Sequence, residues 1–114
     1  MKINGVELED LDIYDLEVAE KYETGLKKIQ EVDNNLTGKS MSESIKVQCV
    51  AVNEFFNSMF GEETDKKIFG DKLNLMTSMK AFDEFISQMN EQKSNMDKIV
   101  SKYSPNRASR RSKK

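Results

Sequence analysis

The sequence predicts a mainly α protein: a helical bundle of about four helices, with a short N-terminal β-hairpin and a disordered basic C-terminal tail. Three observations lead there. Apolar residues recur at three- and four-residue spacings through residues 16–32, 40–60 and 74–103. Asn4-Gly5 stands between two short runs of alternating polarity, the pattern of a two-residue hairpin turn. The closing run PNRASRRSKK has no aliphatic residue larger than Ala108, a composition that buries too little to offset the entropy of ordering. A chain of 114 residues is one small domain. Residues 1–104 form the helical domain with its hairpin, and residues 105–114 form the tail.

In the hairpin, a type I′ turn at Asn4-Gly5 pairs Ile3 with Val6, Lys2 with Glu7 and Met1 with Leu8. One face is then apolar and the other carries an opposite-charge cross-strand pair. A lone hairpin is marginal in water, so the apolar face must dock on the chain's own helices or on another subunit. Asp15 is placed to cap a helix starting at Leu16, with a stripe of Val18, Tyr22, Leu26, Ile29 and Val32. Gly25 weakens the middle of that helix by about 1 kcal/mol relative to Ala. Asp33-Asn34-Asn35 and Gly38 close it.

Ser40 and Glu43 have capping-box spacing at the start of the most apolar helix, and Gly61 can take a left-handed conformation at its end. Ile45, Cys49, Val52, Phe55, Phe56, Met59 and Phe60 fall on an arc of roughly 140°, wider than a helix resting on one core face requires. Val47, Val50 and Ala51 make the opposite side partly apolar as well. Such a helix is central in a bundle or faces a second protein, and Val47 and Val50 are therefore candidate self-association residues.

Glu62, Glu63 and Asp65 suit the positive end of a short helix anchored by Ile68 and Phe69 and ended by Gly70. The last helix runs from a cap at Asn74 to Tyr103, roughly 45 Å. Leu75, Met79, Phe82, Ile86, Met89, Lys93, Met96, Val100 and Tyr103 alternate spacings of four and three, a heptad seam with a cation at Lys93. Met76 and Phe85 enrich its first half. Its C-terminal third carries a thinner stripe that either lies along the surface or packs on a partner, which adds Met96, Val100 and Tyr103 to the candidate surface.

The chemistry-bearing residue types point away from catalysis. The sequence has no histidine, one cysteine at Cys49 on the apolar arc, and glycines at 5, 25, 38, 61 and 70 that form no phosphate-binding loop. Glu62, Glu63, Asp65 and Asp71 lack the alternating order of a calcium loop. Asp83 and Glu84 read as a solvated polar face. No catalytic residue, cofactor or metal is expected. Five of the seven methionines (Met59, Met76, Met79, Met89 and Met96) occupy stripe positions, where they read as core filler before they read as an adaptable binding surface. No apolar run is long enough to span a bilayer and no leader is evident, so a soluble cytosolic protein is expected.

Charge is unevenly distributed. Residues 1–104 hold thirteen lysines against all twenty acids, a balance of −7, while Arg107, Arg110, Arg111, Lys113 and Lys114 give the tail +5. Those cations suit an acidic protein surface or weak, salt-sensitive contact with nucleic acid. No aromatic residue stands among them to stack on bases.

Taken together, MKINGVELEDLDIYDLEVAEKYE, FFNSMFGEETDKKIFGDKLNL, AFDEFISQM and SPNRASRRSKK resemble small proteins from the tail-morphogenesis region of phages and prophages of Gram-positive bacteria, commonly regarded as tail assembly chaperones. The resemblance implies a non-enzymatic, mostly helical protein that self-associates and binds the helical tape-measure protein, or the tail-tube protein. Its implied location is the cytoplasm of the bacterial host, with virion association as an extension. In several such systems a frameshift makes a longer second product. Many of those proteins have a longer or more acidic end, so the basic tail is a departure. The competing expectation is a small nucleic-acid-associated accessory protein acting through residues 107–114.

Overall fold

The computed structural model of the chain describes residues 1–103. It contains β1 (Lys2–Ile3), β2 (Val6–Glu7), α1 (Leu16–Asn34), α2 (Met41–Phe60), α3 (Thr64–Phe69) and α4 (Leu75–Tyr103). The predicted mainly helical class and hairpin are both present. The predicted tail lies outside the described residues.

The hairpin has the expected register, Lys2 opposite Glu7 and Ile3 opposite Val6, with the Leu8 N–H donating to Met1 C=O at 2.8 Å. Asn4 and Gly5 adopt φ of 51° and 76°, the two positive values that a type I′ turn requires and that bring its twist into line with the strands. Lys2 and Glu7 thus form the expected opposite-charge cross-strand pair. Glu7 also receives the Met1 ammonium at 3.0 Å, and Asp10 receives it at 2.6 Å. These carboxylates, Asp10 first, hold the ammonium above its ordinary pKa.

Of the two docking options for the hairpin, the chain uses its own helices. Ile3 is fully buried, and one face of α4 supplies three polar side chains at four-residue spacing to the backbone of the N-terminal segment. Glu84 accepts the Asn4 N–H at 2.7 Å. Gln88 donates to Lys2 C=O at 2.9 Å. Gln92 donates to Leu11 C=O and accepts the Ile13 N–H, both at 2.8 Å. Glu84 is therefore a structural anchor rather than a merely solvated acid. The Asn4 amide adds a bond to Ile68 C=O at 2.9 Å.

Helix α2 packs against each of the other three helices. Cys49, Val52, Phe55, Phe56 and Met59 are buried along it, as its wide apolar arc requires. Its start is capped by Ser40, whose hydroxyl oxygen accepts the Glu43 N–H at 3.2 Å. Gly61 at its end has φ 117° and ψ 163°, a positive-φ conformation that favours glycine but differs from the expected left-handed helical cap. Asp15 occupies the expected cap position of α1 without a side-chain cap bond. Asn74 accepts the Thr77 N–H at 3.1 Å and caps α4.

The heptad seam of α4 is displaced. The buried line runs through Ser78, Ala81, Phe85 and Met89, whereas Leu75, Met79, Phe82 and Ile86 flank it half-buried and Met76 is 65% exposed. Small side chains occupy the centre because they allow close approach between helices, while the larger ones fill the gaps beside it. Lys93 fits the apolar stripe because its ammonium lies 5.4 Å from the Tyr22 ring centroid, with the charge left towards water.

At the centre, the Phe55 ring meets Tyr22, Phe56, Phe82 and Phe85 at centroid distances of 6.5, 5.8, 5.1 and 5.5 Å. These are edge-to-face arrangements, each contributing about 0.5–1.5 kcal/mol beyond its buried area. Burial also holds the Tyr22 hydroxyl above its ordinary pKa. Gly25 is buried against this cluster. A Cβ there would lie 2.6 Å from Phe55 Cδ1 and 2.7 Å from Cε1. The glycine that costs helix propensity is what lets α1 rest on the ring.

Gly25→Ala is expected to lower stability by about 1–3 kcal/mol through overpacking, despite the better helix former. Urea denaturation measures this. In a Phe55→Leu background the cost should shrink, the signature of direct coupling.

Candidate functional site

Two of the openings left by this packing hold candidate residues. The first is a groove between α1 and α2. Its inner part, about 280 Å³, is lined by Gly25, Val32, Ala51 and Phe55 with Glu20, Lys21, Lys28 and Glu54 among its polar residues. Its outer part, about 410 Å³, adds Lys46, Val47 and Val50 and shares Val32, Ala51 and Glu54 with the first. The two parts adjoin at these shared residues. Its floor is apolar while both signs of charge stand at the rim.

The second opening, about 350 Å³, lies between the segment leading into α1 and the last turns of α4. It is lined by Asp10, Leu11, Asp12 and Tyr14 on one side and by Gln92, Asn95, Met96 and Ile99 on the other. The two backbone bonds of Gln92 hold its walls together. Asp12 accepts the Tyr14 N–H at 2.9 Å, which shapes the acidic wall. Tyr14 and Ile99 are 49% and 53% exposed.

The residues predicted for self-association divide between these places. Val47 is half-buried and Val50 37% exposed, both in the α1–α2 groove. The surplus apolar side of α2 is thus shared between contact with α1 and an open rim. Met96 is half-buried in the second opening, Val100 is half-buried beyond it, and Tyr103 is 74% exposed. Arg107, Arg110, Arg111, Lys113 and Lys114 lie outside the described residues. Sequence reasoning missed Val32, Gly25 and Phe55 as groove residues, since stripe patterns mark what is apolar and not where two helices leave a gap. It also missed Ile99, which is adjacent to the stripe and not on it.

The family model described as "Family of unknown function (DUF6673)" matches residues 4–114. The chain belongs to this family. No curated protein and no solved structure matches it. The match begins at the hairpin turn and covers β2, all four helices and the basic segment of the DUF6673 chain.

Among the described residues, no group of three or more His, Cys, Asp or Glu side chains is placed to hold a metal ion. No helix among them is long and apolar enough to cross a membrane. Cys49, fully buried, packs as a small apolar side chain.

Gln92→Ala removes both bonds that tie the Leu11–Ile13 backbone to α4. The expected cost is about 1–3 kcal/mol, with faster hydrogen exchange at the Ile13 amide. Gln92→Glu keeps the acceptor and should fall between the two.

Proposed function

We propose that this DUF6673 chain is a non-enzymatic tail assembly chaperone of a phage or prophage, which self-associates and binds the helical tape-measure protein. The observation that carries the reading is the open α1–α2 groove, with its apolar floor and mixed-charge rim. From Glu20 to Val32 it follows α1 for about 18 Å, room for roughly three turns of a partner helix. An amphipathic helix laid into such a groove inserts bulky apolar side chains and sets its charges against the rim. A long helical partner presenting this pattern repeatedly could be coated by many copies. Exposed Ile99 and Tyr103 at the end of α4 supply further apolar surface for contact between copies. This activity belongs in the host cytoplasm, before or during assembly of the particle.

The accessory nucleic-acid reading rests on the five cations of residues 107–114. It differs in its response to salt. Partner binding through the groove should persist at moderate ionic strength, because apolar burial carries it. Phosphate neutralisation by five cations should weaken steeply between low and physiological salt.

Val50→Glu places a charge on the rim of the groove. Helicity should be unchanged and stability shifted by no more than about 0.5–1 kcal/mol, since the position is partly exposed, while self-association and tape-measure binding are lost. Light scattering, circular dichroism and a pull-down of the tape-measure protein measure the three. An unmutated protein that is monomeric and fails to retain the tape-measure protein would sink the reading.

Removal of residues 105–114 should leave the melting temperature and the tape-measure pull-down unchanged and abolish any gel shift of DNA or RNA. Loss of the pull-down on truncation, with strong shifting by the intact chain, would favour the nucleic-acid reading.

A further inference from the structure

The buried line of α4 runs on past the point where the chain's own core ends. Ser78, Phe85 and Met89 are buried, and spacings of three and four continue that line through Gln92, Met96, Ile99 and Tyr103. Gln92 is fastened to the N-terminal segment by its two backbone bonds. Beyond it exposure rises: Met96 is half-buried, Ile99 is 53% exposed and Tyr103 is 74% exposed. From Met96 to Tyr103 the helix runs for about 11 Å, carrying an apolar stripe that its own chain leaves open. Asp97 and Lys102 flank that stripe on opposite sides.

The α1–α2 groove has the complementary form. Its floor of Gly25, Val32, Ala51 and Phe55 follows α1 for about 18 Å, enough for the open end of α4. Lys28 stands on the α1 rim and Glu54 on the α2 rim, opposite in sign across the groove as Asp97 and Lys102 are across the stripe. None of these four makes an ion pair with any described residue. Thr24 and Ser58 set hydroxyls in the inner part of the groove, where a buried tyrosine O–H needs a partner. Within one chain the two surfaces do not meet. The end of α4 stands beside Leu11 and Tyr14, at an opening whose lining shares no residue with the groove. An α4 end that enters a groove therefore comes from another copy.

We propose that residues 96–103 of one copy lie in the α1–α2 groove of the next, with Ile99 and Tyr103 on the apolar floor, Asp97 beside Lys28 and Lys102 beside Glu54. This rests on the groove reading above and names the occupant when no partner helix is present, a second copy of the chain. The two surfaces differ and each copy carries one of each, so the contact is heterologous and extends head to tail instead of stopping at a dimer. A neighbour's helix covers the apolar floor until a partner helix displaces it. Self-association and partner binding then compete for one site.

The test uses two full-length variants and analytical ultracentrifugation. Val50→Glu puts a carboxylate in the groove, and Ile99→Asp combined with Tyr103→Ser removes the stripe; all three positions are exposed, so circular dichroism should show both chains folded. The unmutated chain should form species that grow with concentration, and each variant alone should be monomeric. Mixed in equal amounts, the variants should form heterodimers and nothing larger, since one intact groove then meets one intact α4 end. Glu54→Lys and Lys102→Glu should each weaken association roughly three- to fivefold, and the two together in one chain should restore it. An α4-end variant that associates as the unmutated chain does, a mixture without heterodimers, or a doubly substituted chain as weak as the single ones would overturn the proposal. A pull-down of the tape-measure protein keeps this outcome apart from the chaperone reading. Retention by the Ile99→Asp, Tyr103→Ser variant with no heterodimer in the mixture would leave the groove as the partner site and refute its occupancy by a second copy. Heterodimers without any retention of the tape-measure protein would do the reverse.

Discussion

The structure depends on the contact between the Phe55 ring and Gly25. A small domain has few places where three helices can meet, and here they meet around one ring that touches side chains from α1, α2 and α4. Edge-to-face packing sets the rotation of each helix as well as its distance, because a ring offered face-on would lose both quadrupole attraction and packing density. Gly25 determines how near α1 can come. Gly25 and Phe55 also line the inner part of the α1–α2 groove.

A second constraint acts through polar groups. Two strands of two residues have too little hydrogen bonding and burial to persist alone. Glu84, Gln88 and Gln92 recur every four residues, so they align along α4 and meet backbone groups of the passing N-terminal segment. Those groups would otherwise rely on water where the segment presses against the helix. Ile3 and Ile13, both buried, supply the apolar half of the same attachment. One helix thus holds the N-terminal segment by alternating apolar and polar side chains, and in doing so creates the acidic opening beside its own end.

These two openings differ in chemistry and suit different occupants. The α1–α2 groove has an apolar floor and a rim of both charges, features of a surface that receives an amphipathic helix. The opening at the end of α4 is acidic on one wall, where Asp10 and Asp12 stand, and carries Met96 and Ile99 on the other.

The local elements were legible in the sequence because each is dictated by neighbours in the chain. Asn4-Gly5 specifies a turn with two positive φ values, Ser40 and Asn74 supply caps, and three- and four-residue spacing marks every long helix. Which residues would be apolar was equally plain. The tertiary structure decided which of them face inward. It moved the buried line of α4 from Met79 and Phe82 to Ser78 and Ala81, left Met76 outside, and turned Gly25 from a weak point of α1 into the seat of Phe55. Periodicity gives the direction of a stripe to within about one residue, or 100°. Close packing between helices resolves that last step, and it responds to the size of the side chains opposite, which one helix read alone does not contain. For the same reason Val47 and Val50 could be recognised as surplus apolar residues from sequence, while the groove they border required α1 to be placed beside them.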